Sequence, residues 1–289
     1  FLKGISTSEE FYTPPYLRLM SDIDILIKRS EVDLVMAKVA DLGYVITDEQ
    51  WRIYRKNGAH HLPEARHPVT GVTIEVHTGL FAQTEFYSGE YVFQPDCIAG
   101  QNVEFDYRGT RAARFTPEFQ LIYTLSKWSV DESWAVKLTS INDTIHILKK
   151  YEPELDWPTL LRWFAASPHL LPITVALLHY LEQADIVAVP PLLRESLADA
   201  DRKHGPRKLK LLTWLLHTYP FNARDKFHGG FSRWCAHSLW LHLTNPNSRD
   251  LGITSARLHR FYMSALYGKS NPFRSVKSGL NALVYRIRK

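Results

Sequence analysis

In Ser21-Asp22-Ile23-Asp24-Ile25-Leu26-Ile27, two acids alternate with isoleucines before the run turns wholly apolar. A β-strand sends successive side chains to opposite faces, so Asp22 and Asp24 share one face while Ile23 and Ile25 enter a core. Carboxylates that close raise one another's proton affinity unless a cation neutralises them, and hard oxygen donors of this kind suit Mg²⁺ or Mn²⁺. Thr73-Ile74-Glu75-Val76-His77 repeats the alternation, with Glu75 and His77 on its polar face and Ile74 and Val76 inside. Three acids on adjacent strands meet the needs of phosphoryl chemistry. Metal ions bridge phosphates, neutralise charge that builds during an in-line displacement and activate the attacking oxygen. A bare D-x-D is a weak signal, but here it opens an apolar strand, a helix follows directly, and a second strand offers E-x-H.

Other residues of reactive type are weighed against this group. A zinc site made by His60, His61 and His77 is disfavoured, because neighbours on a strand face opposite ways and no H-E-x-x-H or cysteine pair supports it. The better use for His61 and His77 is to hydrogen-bond a nucleotide or to orient a carboxylate. Arg18 precedes Asp22 by four residues; it either reaches a phosphate or base, or faces solvent. Gly268-Lys269-Ser270 ends like a phosphate-binding loop, but Met263 stands where the first glycine belongs and an aromatic helical stretch precedes it. No G-x-S-x-G element occurs, and neither cysteine sits in a nucleophile motif.

The elements that must carry these residues are readable from periodicity. Asp22 to Ile27 is expected as a strand and Leu34 to Leu42 as the apolar face of a helix ended by Gly43, with Ser30 and Asp33 as its capping box. Trp51 to Tyr54 and Val72 to His77 are expected as paired strands, and Val103 to Phe115 as a strand-rich piece turning at Arg108-Gly109. After Thr116 the period becomes helical. Thr116-Pro117-Glu118 opens a helix to about Lys127, and further helices are expected over Ala135 to Tyr151, Pro158 to Ala166, Ile173 to Gln183, Leu192 to Ala200 and Lys208 to His217. Asp201 to Lys210 reads as an exposed charged connector.

Composition sets the outer bounds. With 289 residues, 45% apolar and 22% charged, the chain is globular and long enough for one large or two ordinary domains, not disordered or fibrous. The most apolar stretch, His169 to Leu181, is too short to span a bilayer and contains Pro172, so no membrane association is expected. Cys97 and Cys235 cannot form a disulfide framework, which favours a reducing, cytoplasmic setting. Charge is uneven: residues 1–150 hold 16 Lys and Arg against 20 Asp and Glu, and the remainder 19 against 10. The acidic part is suited to holding cations, and the basic part either meets phosphate-rich ligands or is a solvated helical surface. Arg257, Arg260, Lys269, Arg274, Lys277, Arg286 and Arg288 are interleaved with Phe261, Tyr262, Tyr267 and Tyr285. Such a region can track nucleic acid, but helical spacing favours packing of these aromatics, as it does for Trp128, Trp134, Trp157 and Trp163.

Lys3-Gly4, Tyr16-Leu17-Arg18, Ser21 to Ile27, Gly43-Tyr44 and Ile74 to His77, followed by Leu138 to Leu148 with Asp143 and by Leu155-Asp156-Trp157, form an ordered series. It resembles the motif series of an uncharacterised bacterial nucleotidyltransferase family in the polymerase-beta-like nucleotidyltransferase superfamily. The resemblance implies that Asp22, Asp24 and Glu75 are metal ligands, one of which also draws the acceptor's proton. It implies too that Lys3 and Gly4 lie where related enzymes hold a Gly-Ser pair against nucleotide phosphates. Here the serine is absent, and Lys127 stands where the family pattern has a histidine. The expected fold is α+β: a nucleotidyltransferase domain with a mixed sheet over residues 1–115, lacking its N-terminal start, followed by an all-helical domain over residues 116–289. The expected reaction is Mg²⁺- or Mn²⁺-dependent transfer of a nucleoside monophosphate, AMP from ATP, to a hydroxyl of a small molecule, peptide or protein. RNA and DNA are less favoured acceptors. The alternative is a catalytically degenerate protein of the same fold that binds nucleotide, RNA or a protein partner.

Overall fold

A computed structural model describes residues 1–198 apart from 48, 52–59, 82–85, 131–133, 168–169 and 196–197. The chain divides into two compact units, Phe1–Val130 with Thr139–Ser167, and Asp131–Leu138 with Pro168–Lys289. The first unit thus continues past Phe115, where the sequence pattern turns from strand to helix. It carries a small mixed sheet among helices, an α+β arrangement that fits a nucleotidyltransferase domain.

Helix α1 (Ile5–Phe11) precedes strand β1 (Asp22–Leu26), which leads through a 3₁₀ turn at Arg29–Glu31 into α2 (Val32–Asp41). The acid that starts this helix differs from the expected one. Glu31 Oε2 accepts the Lys28 N–H at 3.0 Å, a reach back of three residues that neither Ser30 nor Asp33 makes. Strands β2 (Ala65–Arg66) and β3 (Thr73–His77) complete a sheet of order β1-β3-β2, with β1 parallel and β2 antiparallel to β3. The alternation that sets the acids on one face sends Ile25, Ile74 and Val76 to the other. There they pack with Val39, Val35 and Met36 of α2 and with Leu62 and Ala65. Burial of this apolar face holds the strands in register, since a slip of one residue would turn the acids into the core.

Trp51 is not in a strand. Glu49 to Trp51 are helical, and Thr47 and Gln50 explain it: the Thr47 N–H donates to Gln50 Oε1 at 2.8 Å and the Gln50 N–H to Thr47 Oγ1 at 3.3 Å. This reciprocal cap starts a helix in sequence whose aromatic and β-branched residues suggest a strand. The antiparallel partner of β3 is β2 instead, and Arg52 to Tyr54 lie outside the described residues.

Helix α3 (Pro95–Ala99) precedes the hairpin of β4 (Asn102–Tyr107) and β5 (Thr110–Phe115). Its two-residue turn puts Arg108 at φ 53° and Gly109 at φ 80°, the left-handed pair that matches strand twist in a tight hairpin. Helix α4 (Pro117–Val130) follows at once, capped by Thr116 Oγ1, which accepts the Phe119 N–H at 3.3 Å. It runs one turn beyond the expected end. Phe119 and Tyr123 on its buried side meet Phe81, Phe93 and Phe115 edge-on, with centroids 4.7 to 6.1 Å apart. Aromatic burial of this kind anchors the segment after β3 against α4.

Helix α5 (Trp134–Tyr151) contributes its later turns to the first unit, and α6 (Trp157–Ala166) is capped by Asp156, which accepts the Thr159 N–H at 3.0 Å. Trp128 and Trp157 are buried, and Trp163 meets Phe119 edge-on, so these three tryptophans pack. In the second unit, α7 (Leu170–Gln183) starts three residues before the expected Ile173. Among the described residues no helix is long and apolar enough to cross a membrane. The helix expected over Lys208 to His217, the connector Asp201 to Lys210, Cys235, Gly268-Lys269-Ser270, and the basic and aromatic C-terminal region lie outside the described residues.

Candidate functional site

The parallel register pairs Asp24 with Glu75 and Leu26 with His77. In a parallel pair, matched residues point to the same side, so the polar face of β1 meets the polar face of β3. His77 Nε2 lies 2.8 Å from Asp24 Oδ1 and 3.4 Å from Glu75 Oε2. Lys3 Nζ reaches the same Asp24 oxygen at 2.9 Å. Asp24 and His77 are almost wholly buried, and Glu75 is partly open.

Lys3 arrives there through the chain before α1. The Leu2 N–H donates to Asp24 O at 3.1 Å, which lays this segment along β1. Gly4, at φ 43°, then turns the chain into the helix. A Cβ at Gly4 would lie 3.2 Å from Met20 Sδ and 3.5 Å from Asp22 O, so both the conformation and the close approach call for glycine. Lys3 and Gly4 therefore stand beside the acids.

Electrostatics follow from this geometry. Burial penalises the charge on Asp24, but the His77 hydrogen bond and the Lys3 charge outweigh it and hold the carboxyl below its ordinary value. The His77 hydrogen bond lowers Glu75 as well, against burial and with help from His61. Burial also opposes a charge on His77, yet its bonds to Asp24 and Glu75 lift its pKa. Asp22 is different. Half-buried, it is raised by burial and by the charges of Asp24 and Glu75, with Lys3 opposing. It is the acid of the three most ready to hold a proton.

His60 and His61 do not face opposite ways. Neither belongs to a regular strand; His61 makes a lone antiparallel bridge with His77, and the Thr78 N–H donates to His60 O at 2.8 Å. Freed from strand alternation, both rings turn toward His77, with centroids 5.5 Å (His60) and 5.3 Å (His61) from it. His60 is pushed down to about 3 by burial and by the charge of Lys127, so it is neutral. Lys127, on α4, also lies 5.3 Å from the centre of the Phe81 ring. The sequence marks His60 only as a disfavoured zinc ligand and Lys127 only as a departure from the family pattern; that the two come together near His77 is a matter of packing, which spacing does not signal.

Arg18 follows neither sequence alternative directly. It is buried, and its guanidinium grips Asp143 of α5, Nε to Oδ1 and Nη2 to Oδ2, both at 2.9 Å. The Tyr12 hydroxyl donates to the same Oδ1 at 2.7 Å and accepts from Asn142 at 3.1 Å, and the Tyr12 ring stacks on His146 with centroids 4.0 Å apart. Burial and the Asp143 charge push the Tyr12 hydroxyl pKa well up. The segment from Tyr12 to Arg18 is thereby clamped to α5 just before it enters β1. Asp143 belongs to the motif series, but its partnership with a residue 125 positions away has no local signature.

Among the described residues, one set of histidine, cysteine and acidic side chains brings its ligand atoms within 4.8 Å of one another: Asp24, Glu75 and His77. Two carboxylate oxygens and an imidazole nitrogen at that spacing fit a divalent cation. Asp22 lies beside this set, and the three histidines do not form one. Comparison with curated proteins and with solved structures finds no match. A model of an uncharacterised nucleotidyltransferase family matches residues 1–184, the part that carries every residue of this site. The chain belongs to that nucleotidyltransferase family.

Proposed function

We propose that the protein transfers a nucleoside monophosphate, AMP from ATP, to a hydroxyl of an acceptor molecule. The acceptor oxygen forms a bond to the α-phosphorus, the bond from that phosphorus to the bridging oxygen breaks, and pyrophosphate leaves. The observation that carries this reading is the β1/β3 register, which sets Asp24 and Glu75 side by side with Lys3 over them, inside the family match.

Asp24 and Glu75, with Asp22 next to them, would hold Mg²⁺ or Mn²⁺, which when bound neutralises charge on the phosphate oxygens. Asp22, whose pKa is raised, takes the proton from the acceptor hydroxyl on its carboxylate. Lys3 donates to the phosphates in place of the absent serine, and Gly4 leaves room for its approach. His61 hydrogen-bonds the nucleotide, and Lys127 adds a positive charge near His60. Arg18 acts by holding the chain that leads into Asp22.

The test is incubation of the chain with each nucleoside triphosphate, Mg²⁺ or Mn²⁺ and a panel of hydroxyl-bearing acceptors. Pyrophosphate release with a matching mass increase on the acceptor is expected. Turnover that survives Asp22→Asn combined with Asp24→Asn would show the assignment to be wrong.

A second reading has its own support. Asp24 already has Lys3 and His77 as partners, and Glu75 has His77, so the acids are neutralised from within. A degenerate nucleotidyltransferase that binds nucleotide, RNA or a protein partner without turnover would tolerate this. Tight nucleotide binding indifferent to divalent metal favours that reading, whereas metal-dependent turnover eliminates it.

A further inference from the structure

Resting on the metal-dependent reading above, we infer that His77 is itself a metal ligand, through Nε2, and that the site selects a divalent ion of the first transition row, such as Mn²⁺, over Mg²⁺. Ligand atoms bound side by side to one octahedral ion at about 2.1–2.2 Å lie about 3 Å apart. His77 Nε2 stands 2.8 Å from Asp24 Oδ1 and 3.4 Å from Glu75 Oε2, which is that spacing. Asp22, which strand alternation assigns to the same face, lies outside the set whose ligand atoms fall within 4.8 Å. The donor set is therefore two oxygens and one imidazole nitrogen. Mg²⁺ favours all-oxygen sites, whereas imidazole suits transition ions.

A second observation is independent of the acids. His77 Nδ1 and His60 Nδ1 are buried side-chain nitrogens that find no hydrogen-bond partner among the described residues, on rings whose centroids are 5.5 Å apart. A buried polar atom left unpaired is costly, and its presence at a site marks an incomplete set of interactions. With Nε2 on a metal, His77 must carry its proton on Nδ1, and a ligating histidine ordinarily donates that proton to a neighbour. The His60 ring beside it, with its own Nδ1 unpaired, is a neighbour that can accept. Lys3 is the group that yields: its amine bonds the Asp24 oxygen, is partly exposed and sits on a flexible stem, so it can turn to a phosphate as the ion enters.

The experiment is pulsed electron paramagnetic resonance of Mn²⁺ bound to the full chain, with Mg²⁺ competition. The expected result is nitrogen modulation from one imidazole, displacement of Mn²⁺ only by at least about a tenfold excess of Mg²⁺, and loss of modulation in His77→Gln with Mn²⁺ binding weakened at least about tenfold. His60→Gln and His61→Gln are expected to keep the modulation. Bound Mn²⁺ with no nitrogen modulation in the wild-type chain overturns the inference and leaves the carboxylate reading standing. Modulation that survives His77→Gln, or disappears in His60→Gln or His61→Gln, also overturns it. If His77→Gln does not fold, the wild-type, His60→Gln and His61→Gln spectra decide the matter. Mn²⁺ binding that is absent, or unchanged by Asp24→Asn, instead removes the metal reading of the site.

Discussion

Asp24 Oδ1 accepts hydrogen bonds from two groups of different origin, Lys3 Nζ at 2.9 Å and His77 Nε2 at 2.8 Å. One comes from the chain before α1 and the other from β3, so a single carboxylate ties three segments together at the centre of the site. Its neutralisation is local and mostly buried, which makes both its charge and its position consequential.

Asp24→Asn is expected to cut nucleotidyl transfer by at least about a hundredfold, since it removes a charged ligand and a partner for Lys3 and His77 together. Pyrophosphate release at saturating nucleotide and metal measures this, with circular dichroism to confirm folding. Glu75→Gln should also lower turnover while disturbing stability less, because Glu75 is more open and has fewer partners.

Arg18→Ala should destabilise the first unit by about 3–5 kcal/mol, because it leaves the Asp143 carboxylate buried with its bidentate partner gone. Arg18→Lys is expected to recover only part of that loss, for an ammonium cannot bridge both oxygens in the plane. Urea unfolding of both variants, alongside Asp143→Asn and the double change, gives the coupling directly. Equal stability for wild type and Arg18→Ala would show that the clamp is not structural.

Acid should weaken the fold through His60. The unfolded chain takes up a proton on this ring below its ordinary value of 6.5, while the folded chain resists doing so down to about 3. Stability from this group is complete above pH 6.5 and is lost progressively as pH falls toward 3. Thermal melts across that range should show a shallower fall in His60→Gln than in the wild type; identical slopes would show that the ring is not held neutral.

Gly4→Ala should cost about 1–3 kcal/mol, the strain of φ 43° and ψ -101° in a residue with a Cβ, with crowding of Met20 Sδ in addition. Turnover should fall as well, since the same turn places Lys3 on Asp24. A melting temperature equal to wild type would contradict this.

Much of the site is legible along the chain because strand alternation is a local rule. Asp22, Asp24, Glu75 and His77 are assigned to polar faces by their neighbours alone, and Ile25, Ile74 and Val76 to the core. Where local rules compete, reading by residue type fails. Trp51 has a strand-forming side chain, but Thr47 and Gln50 cap a helix just ahead of it. His60 and His61 would alternate on a strand, yet they lie in a segment without regular strand geometry, so both turn toward His77.

The sequence by itself determines which residue types share a face, where helices and turns begin, and the ordered motif series that signals the family. Only the tertiary structure decides that β1 runs parallel to β3 in the register joining Asp24 to Glu75, that Asp22 stands beside the closest ligand set, and that Arg18 is spent on Asp143. The physical reason is range. Alternation, capping and turn chemistry act within a few residues, whereas register and buried pairing depend on burying apolar faces and matching charges between segments 50 to 130 positions apart, which no local pattern encodes.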